Sequence, residues 1–277
     1  FCIKCFFTAD SHFVFCGMTY DSTPKAFYAK TDYSGNLVFL KKHEGQYIYK
    51  LTKVIELSNG DLLFLGHTDS LVTASGAYNL FLTKTDSAGN EIWTKCIVLN
   101  TRIQGIIGVD RHNDKIFITT SQTTNPSSSA HYYSKLICIM EDGQIVYSNT
   151  YFIGAQGGVF GTVTYSSHGT LLLGGESDEY YWPNDGTLWE DHSYGVAYFA
   201  EYDTLGNKIW SKKYFVPNFL NGIGSIKEIS GGYLLGGFSG WGYFYWSDSL
   251  YSYPSYSMND LFLMKTDLLG DSFWMRL

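Results

Sequence analysis

Lys84-Thr85-Asp86-Ser87-Ala88-Gly89-Asn90-Glu91-Ile92-Trp93 is a hairpin phrase that the chain writes five times. Close copies are K-T-D-Y-S-G-N at Lys30–Asn36 and K-T-D-L-L-G-D at Lys265–Asp271. Looser ones are E-Y-D-T-L-G-N at Glu201–Asn207 and M-E-D-G-Q at Met140–Gln144. In such a turn the Asp accepts a hydrogen bond from the backbone two residues on, and the Gly supplies the positive φ that ends it. The turn glycines Gly35, Gly89, Gly143, Gly206 and Gly270 are spaced by 54, 54, 63 and 64 residues. Repetition at that period predicts stacked copies of one supersecondary unit.

A second landmark closes an apolar run in each copy: F-V-F-C-G ending at Gly17, L-L-F-L-G at Gly66, L-L-L-G-G at Gly175 and Y-L-L-G-G at Gly237. In the third copy the run is I-F-I-T-T, ending at Thr120. From each turn glycine to the next anchor the distance is 31 (Gly35 to Gly66), 31 (Gly89 to Thr120), 32 (Gly143 to Gly175) and 31 (Gly206 to Gly237). From each anchor to its own turn glycine it is 18, 23, 23, 31 and 33. A fixed frame with one growing connection is a scaffold with one tolerant surface loop.

Each copy divides into four short strands, a to d, with tight a–b turns such as Ser58-Asn59-Gly60-Asp61, Ser167-His168-Gly169 and Ser230-Gly231-Gly232. Strands b and c are apolar at nearly every position, so both of their faces are expected to be buried. No segment has helical periodicity. The expected fold is all-β, a β-propeller of four-stranded antiparallel blades, with five blades visible in a single domain over 1–277. The blades fall at about 1–48, 49–103, 104–157, 158–220 and 221–277. Four residues after each turn glycine stands an aromatic: Phe39, Trp93, Tyr147, Trp210 and Trp274. These rings read as plugs between blades, with a ring of ligand-stacking aromatics as the alternative. Asp32, Asp86, Asp203 and Asp267 read as turn scaffold, and Lys30, Lys84 and Lys265 as solvated or cross-strand charges.

Composition narrows the function classes. Aromatics make up 18% and charged residues 16% of the chain, which suits sheets with many half-buried rings. A net charge of −7 without a basic patch argues against nucleic acid. No apolar run approaches the length of a membrane span. The opening F-C-I-K-C-F-F is too short and interrupted for a signal peptide, and a start at Phe reads as a processed product or a fragment. Cys2, Cys5, Cys16, Cys96 and Cys138 are odd in number and read mainly as small buried hydrophobes, with a Cys5–Cys16 cross-strand disulfide as a minor alternative.

At D-x-x-G-N-x-x-W the chain resembles bacterial secreted and cell-surface β-propeller repeats that read G-Y-L-L-G-G…D-x-F-L-x-K-T-D-x-x-G-N-x-x-W. It is also similar to the tryptophan-docking repeats of quinoprotein-like propellers at Gly89 to Trp93, Gly206 to Trp210 and Gly270 to Trp274. The resemblance covers all five copies, although the third lacks the Lys and the Asp at their usual places. It implies a propeller and an extracellular or cell-surface location, and it carries over no catalytic residue.

Because strand direction alternates, the a–b and c–d turns emerge on one face and the growing b–c loops on the other. The longest b–c loops are Glu176–Tyr194 and Phe238–Tyr256. They offer Tyr180, Tyr181, Trp182, Trp189, Trp241, Tyr243, Tyr245 and Trp246 as ligand contacts. Rings beside carboxylates suit a glycan; the same composition suits a protein partner or loops that pack on each other. Asp178, Asp185 and Asp191 could hold Ca2+, although no known loop spacing supports this, and no other cofactor is expected. Asp178 with Glu190 or Asp191 could form a glycosidase acid pair. G-F-S-G-W-G at Gly237–Gly242 fails as a nucleophile elbow, and the seven histidines form no metal motif and mostly lie at predicted turns. The resulting expectation is a non-catalytic binding or adhesion module, not an enzyme. The alternatives are a structural subunit of a cell-surface assembly and a glycoside-active enzyme using loop carboxylates.

Overall fold

The computed structural model describes residues 2–19, 25–43, 49–69, 78–98, 102–123, 132–154, 157–181, 192–214, 220–240 and 259–276. Among them all regular structure is β. The first sheet is β1 (Cys2–Phe7), β2 (Phe13–Met18), β3 (Ala26–Thr31) and β4 (Leu37–Lys42), and the second is β5 (Tyr49–Glu56), β6 (Leu62–Thr68), β7 (Asn79–Thr85) and β8 (Glu91–Ile97). Next come β9 (Arg102–His112), β10 (Lys115–Thr123), β11 (Tyr132–Met140) and β12 (Ile145–Tyr151), followed by β13 (Gly157–Tyr165), β14 (Leu171–Tyr181), β15 (His192–Tyr202) and β16 (Lys208–Tyr214). The last sheet is β17 (Leu220–Ile229), β18 (Gly232–Gly240), β19 (Asn259–Thr266) and β20 (Ser272–Arg276). Within each set of four, sequence neighbours are sheet neighbours, as antiparallel hairpins require. One parallel pair, Tyr132 with Gly157, joins the start of β11 to β13.

The chain divides into two compact units, Phe1–Ala130 with Lys135–Asn149, and His131–Ser134 with Thr150–Leu277. In the first unit, Leu63, Leu65, Leu80 and Leu82 pack with Ile116, Ile118, Ile137 and Ile139, and a second cluster gathers Val14, Tyr28, Leu51, Phe64 and Phe81. In the second, Leu172, Ala197 and Phe199 pack against Ile223, Tyr233, Leu235, Phe262 and Met264. β6 and β7 are buried at six of seven positions each, so their unbroken apolar runs reflect cover on both faces.

The turn phrase acts through local chemistry. Gly35, Gly89, Gly143, Gly206 and Gly270 all have φ between +78° and +87°. Asp203 Oδ1 accepts from the Leu205 N–H at 2.9 Å and the Asn207 N–H at 2.8 Å, and its Oδ2 accepts from Asn207 Nδ2 at 2.8 Å. Asp32 and Asp86 hold Asn36 and Asn90 in the same way. Hydrogen bonds from the Asn side chain and then its backbone push the carboxyl pKa of Asp32, Asp86 and Asp203 down. A carboxyl with a lowered folded pKa stabilises above its unfolded value and loses that contribution as pH falls through the folded one. Asp203→Ala therefore lowers the melting midpoint at pH 7, and the gap to the parent closes towards pH 2; a gap unchanged at pH 2 would contradict the carboxylate role.

The anchor glycines answer to a different cause. Opposite each anchor the partner strand carries a β-bulge, with register shifts at Cys2/Lys4, Leu51/Lys53, Thr119/Thr120, Phe160/Thr162 and Ile223/Ser225. The bulge drives a main-chain carbonyl towards the anchor. A Cβ on Gly66 would lie 1.9 Å from the Lys50 carbonyl oxygen, and one on Gly175 would lie 2.0 Å from that of Val159.

Rings of one sheet meet turn glycines of the next. A Cβ on Gly89 would meet the Phe39 ring at 2.9 Å, one on Gly143 the Trp93 ring at 3.1 Å, and one on Gly270 the Trp210 ring at 2.7 Å. Tyr147 is half-buried on β12; the phenol that reaches the following turn is Tyr151, which donates to the Gly206 carbonyl at 2.6 Å. Tyr214 repeats that bond to Gly270, also at 2.6 Å. Lys30 is buried and pairs with Asp10 at 2.7 Å, and Lys84 pairs with Asp61 at 3.2 Å; both partners sit at a–b turns. Glu201, at the same register, accepts instead from Trp210 Nε1. Cys5 lies opposite Phe15 and Cys16 opposite Lys4, so the two cysteines face opposite sides of the sheet and form no disulfide with each other.

Candidate functional site

The cavity of interest lies in the second unit, at the end of β12 and along one face of β15 and β16. Side chains alternate between faces of a strand, so Tyr198 and Tyr202, four residues apart on β15, share a face. Opposite them on β16, Lys213 pairs with Tyr198, Ser211 with Ala200 and Lys208 with Tyr202. The other face of the same two strands, with Phe199 and Trp210, packs on Tyr233. One face of the hairpin therefore serves the core, and the other lines a cavity of about 330 Å³.

The bond from the Tyr151 phenol to Gly206 pins the end of β12 over this face and brings Phe152 and Ile153 to its rim. Ser177 of β14 donates to the Ile153 carbonyl at 3.3 Å and fixes the rim from the other side. Tyr151 meets Tyr202 edge-on with ring centroids 5.2 Å apart, and both pack on Phe160. The Tyr198 and Tyr202 hydroxyls lie 3.3 Å apart. Tyr198 and Tyr202 are buried, whereas Phe152 is 68% exposed at the rim. Burial, and then the neighbouring Tyr198, pushes the Tyr202 phenol pKa far up, so it stays protonated and acts as a hydrogen-bond donor. Phenol donors, ring edges and two ammonium groups make a site for a polar ligand with oxygen acceptors, at the small end of ligand-pocket volumes.

None of these residues stands out in the sequence when motifs are sought. The usable signal is a departure: the fourth hairpin phrase reads E-Y-D where the first, second and fifth read K-T-D, and that Tyr is Tyr202. Of the sequence-predicted ligand contacts, Tyr180 and Tyr181 end β14, with their backbones opposite Ser193 and His192. Their side chains, and Trp182, Trp189, Trp241, Tyr243, Tyr245 and Trp246, lie outside the described residues. Asp178 is placed by its backbone, opposite Gly157 and Gly195, while Asp185, Glu190 and Asp191 lie outside the description. Among the described residues no three His, Cys, Asp or Glu side chains gather as metal ligands, and no helix is long and apolar enough to cross a membrane.

No family model and no curated protein matches the chain. Solved structures do. The chain is similar to hydrazine synthase of Kuenenia stuttgartiensis, with a TM-score of 0.54 and 9% identity over 98% of this chain and 64% of that one. An ulvan lyase of polysaccharide lyase family PL25 gives 0.49 and 7% over 97% and 76%, and a GH32 β-fructofuranosidase of Bombyx mori gives 0.44 and 7% over 96% and 59%. The chain thus spans less than two thirds of the hydrazine synthase chain. At such identities the likeness concerns fold alone, and that fold is of propeller type. The expectation that the chain is not an enzyme is corrected: the similar structure with a TM-score of 0.54 carries the name of an enzyme, so the architecture gives no ground for excluding catalysis.

Proposed function

We propose that the chain is a carbohydrate-active enzyme of propeller type, acting in an extracellular or cell-surface setting, with the β12–β15–β16 cavity as a subsite for one sugar residue of a glycan. The cavity carries this reading. Its aromatic rim at Phe152 offers a flat apolar surface for the C–H face of a pyranose. Tyr hydroxyls, Ser211 and the two lysines supply donors to ring and hydroxyl oxygens. Ser177, which holds the rim at Ile153, is followed directly in the sequence by Asp178. In this reading Asp178 with Glu190 or Asp191 forms the acid and base or nucleophile pair that glycoside cleavage needs.

The test is release of new chain ends from a broad panel of polysaccharides. Asp178→Asn and Glu190→Gln are expected to lower kcat at least 100-fold. Phe152→Ala and Lys213→Ala are expected to raise KM about tenfold with little change in kcat, as uniform binding groups do. An absence of turnover on every polysaccharide, with no glycan retained by the protein, would remove the proposal.

A further inference from the structure

The charge of the β12–β15–β16 cavity is one-sided. Among the described residues its lining includes two ammonium groups, Lys208 and Lys213, and no carboxylate or carboxamide side chain. Strand alternation and turn chemistry explain why. Glu201 precedes Tyr202 on β15 and so faces the other side of the sheet, where it accepts from Trp210 Nε1 and from the Thr170 hydroxyl. Asp203 follows Tyr202 and is held by its own turn, accepting from Leu205 and Asn207. Lys212 also alternates away and pairs with Asp271 at 2.7 Å, which leaves Lys213 for the cavity. Lys213 stands opposite Tyr198 and Lys208 opposite Tyr202, so an ammonium marks each end of a row about 13 Å long.

The neutral groups of the lining extend this donor set. Tyr151 spends its hydrogen on the Gly206 carbonyl. Across the 3.3 Å contact between the Tyr198 and Tyr202 hydroxyls only one phenol hydrogen is used, so the pair keeps one for a ligand. An ammonium donates and never accepts. A neutral pyranose needs acceptors as well as donors, because every hydroxyl brings a hydrogen of its own. A carboxylate or sulfate group on the sugar brings acceptor oxygens alone, and its bonds to ammonium and phenol donors are charge-assisted.

We propose that this subsite selects an acidic sugar, a pyranose bearing a carboxylate or a sulfate ester, whose anionic oxygens are held by Lys208, Lys213 and the Tyr198–Tyr202 pair while Phe152 covers the ring. The inference rests on the reading of the cavity as a sugar subsite and adds the charge of the sugar to it. The chain carries a net charge of −7, so the attraction is local to the two lysines and weakens as salt rises.

Affinity electrophoresis in polyacrylamide containing dissolved polysaccharide tests this with two matched pairs. Polygalacturonate against its methyl ester isolates the carboxylate, and dextran sulfate against dextran isolates the sulfate. The anionic member of at least one pair is expected to retard the chain with a Kd at least tenfold below that of the neutral member. Lys208→Gln and Lys213→Gln are each expected to weaken that retention about tenfold. Lys227→Gln, which removes an exposed lysine of β17 outside the lining, is expected to leave it unchanged. Equal retention of charged and neutral members, lost in Phe152→Ala, overturns the acidic-sugar inference and leaves the subsite standing. An equal loss in Lys227→Gln also overturns it, because the attraction would then be unspecific. Retention of none of the four overturns it as well, while the subsite itself is judged by turnover of the broader polysaccharide panel.

Discussion

Gly66→Ala lowers the stability of the chain by about 3 kcal/mol, at the upper end of the cost of forcing atoms into a packed interior. The added Cβ would stand 1.9 Å from the Lys50 carbonyl oxygen, 2.7 Å from its carbon and 2.9 Å from the Leu51 Cα. All three are main-chain atoms inside a hydrogen-bonded pair, so no rotamer change relieves the clash, and the bulge at Thr52 must shift with everything packed on Leu51. Gly175→Ala and Gly237→Ala meet the same obstacle at Val159 and Gly222. Gly224→Ala is the control: it lies at a bulge too, but among the described residues nothing is within 4 Å of its Cβ position, and its φ is not in the left-handed region. It is expected to be neutral or slightly stabilising through the unfolded state. Urea denaturation of the four variants decides the matter; equal midpoints for Gly66→Ala and Gly224→Ala would show that the anchors are spacing accidents. The third copy carries Thr120 at the anchor, and its β9–β10 pair has two register shifts where β5–β6 has one.

Acidification from pH 6.5 to about 4 costs the chain on the order of 3 kcal/mol through His67 alone. The sequence suggests that most histidines are exposed at turns, but His67 follows the anchor Gly66 inside β6 and is largely buried. Its ring packs edge-on against Tyr78, with centroids 5.0 Å apart, and its Nδ1 finds no hydrogen-bond partner among the described residues. Burial, and then the charge of Lys50, pulls its pKa from 6.5 down to about 4. The folded state therefore binds this proton later than the unfolded chain does. Above pH 6.5 the group has no effect, between 6.5 and about 4 stability falls, and below that the loss levels off. His67→Phe, which keeps the ring and removes the titration, is expected to flatten this part of the pH–stability curve. The same slope in parent and variant would assign the acid sensitivity elsewhere.

How much of the site was legible follows from how far apart its parts lie. Asp203, Gly206 and Asn207 interact within one turn, so the phrase E-Y-D-T-L-G-N contains the whole hydrogen-bond pattern. Tyr202 is in the same phrase, yet its role needs Tyr151, which arrives from another hairpin and is held by a bond spanning 55 residues. The longest, most aromatic loops stand out in the sequence instead, because composition is visible there without any register. Those loops lie outside the described residues, while the cavity that the frame builds is lined by residues which, taken one at a time, look like ordinary strand positions.

The sequence by itself determined the period, the all-β four-strand unit, the turn chemistry and the constant frame from turn to anchor, since each depends on residues a few positions apart or on strict repetition. Only the tertiary structure decided why the anchors are glycines, which ring meets which turn, and that one face of β15–β16 lines a cavity. Those facts depend on bulges that shift register by one residue. A shift of one residue exchanges the two faces of a strand, and no pattern of residue types records it.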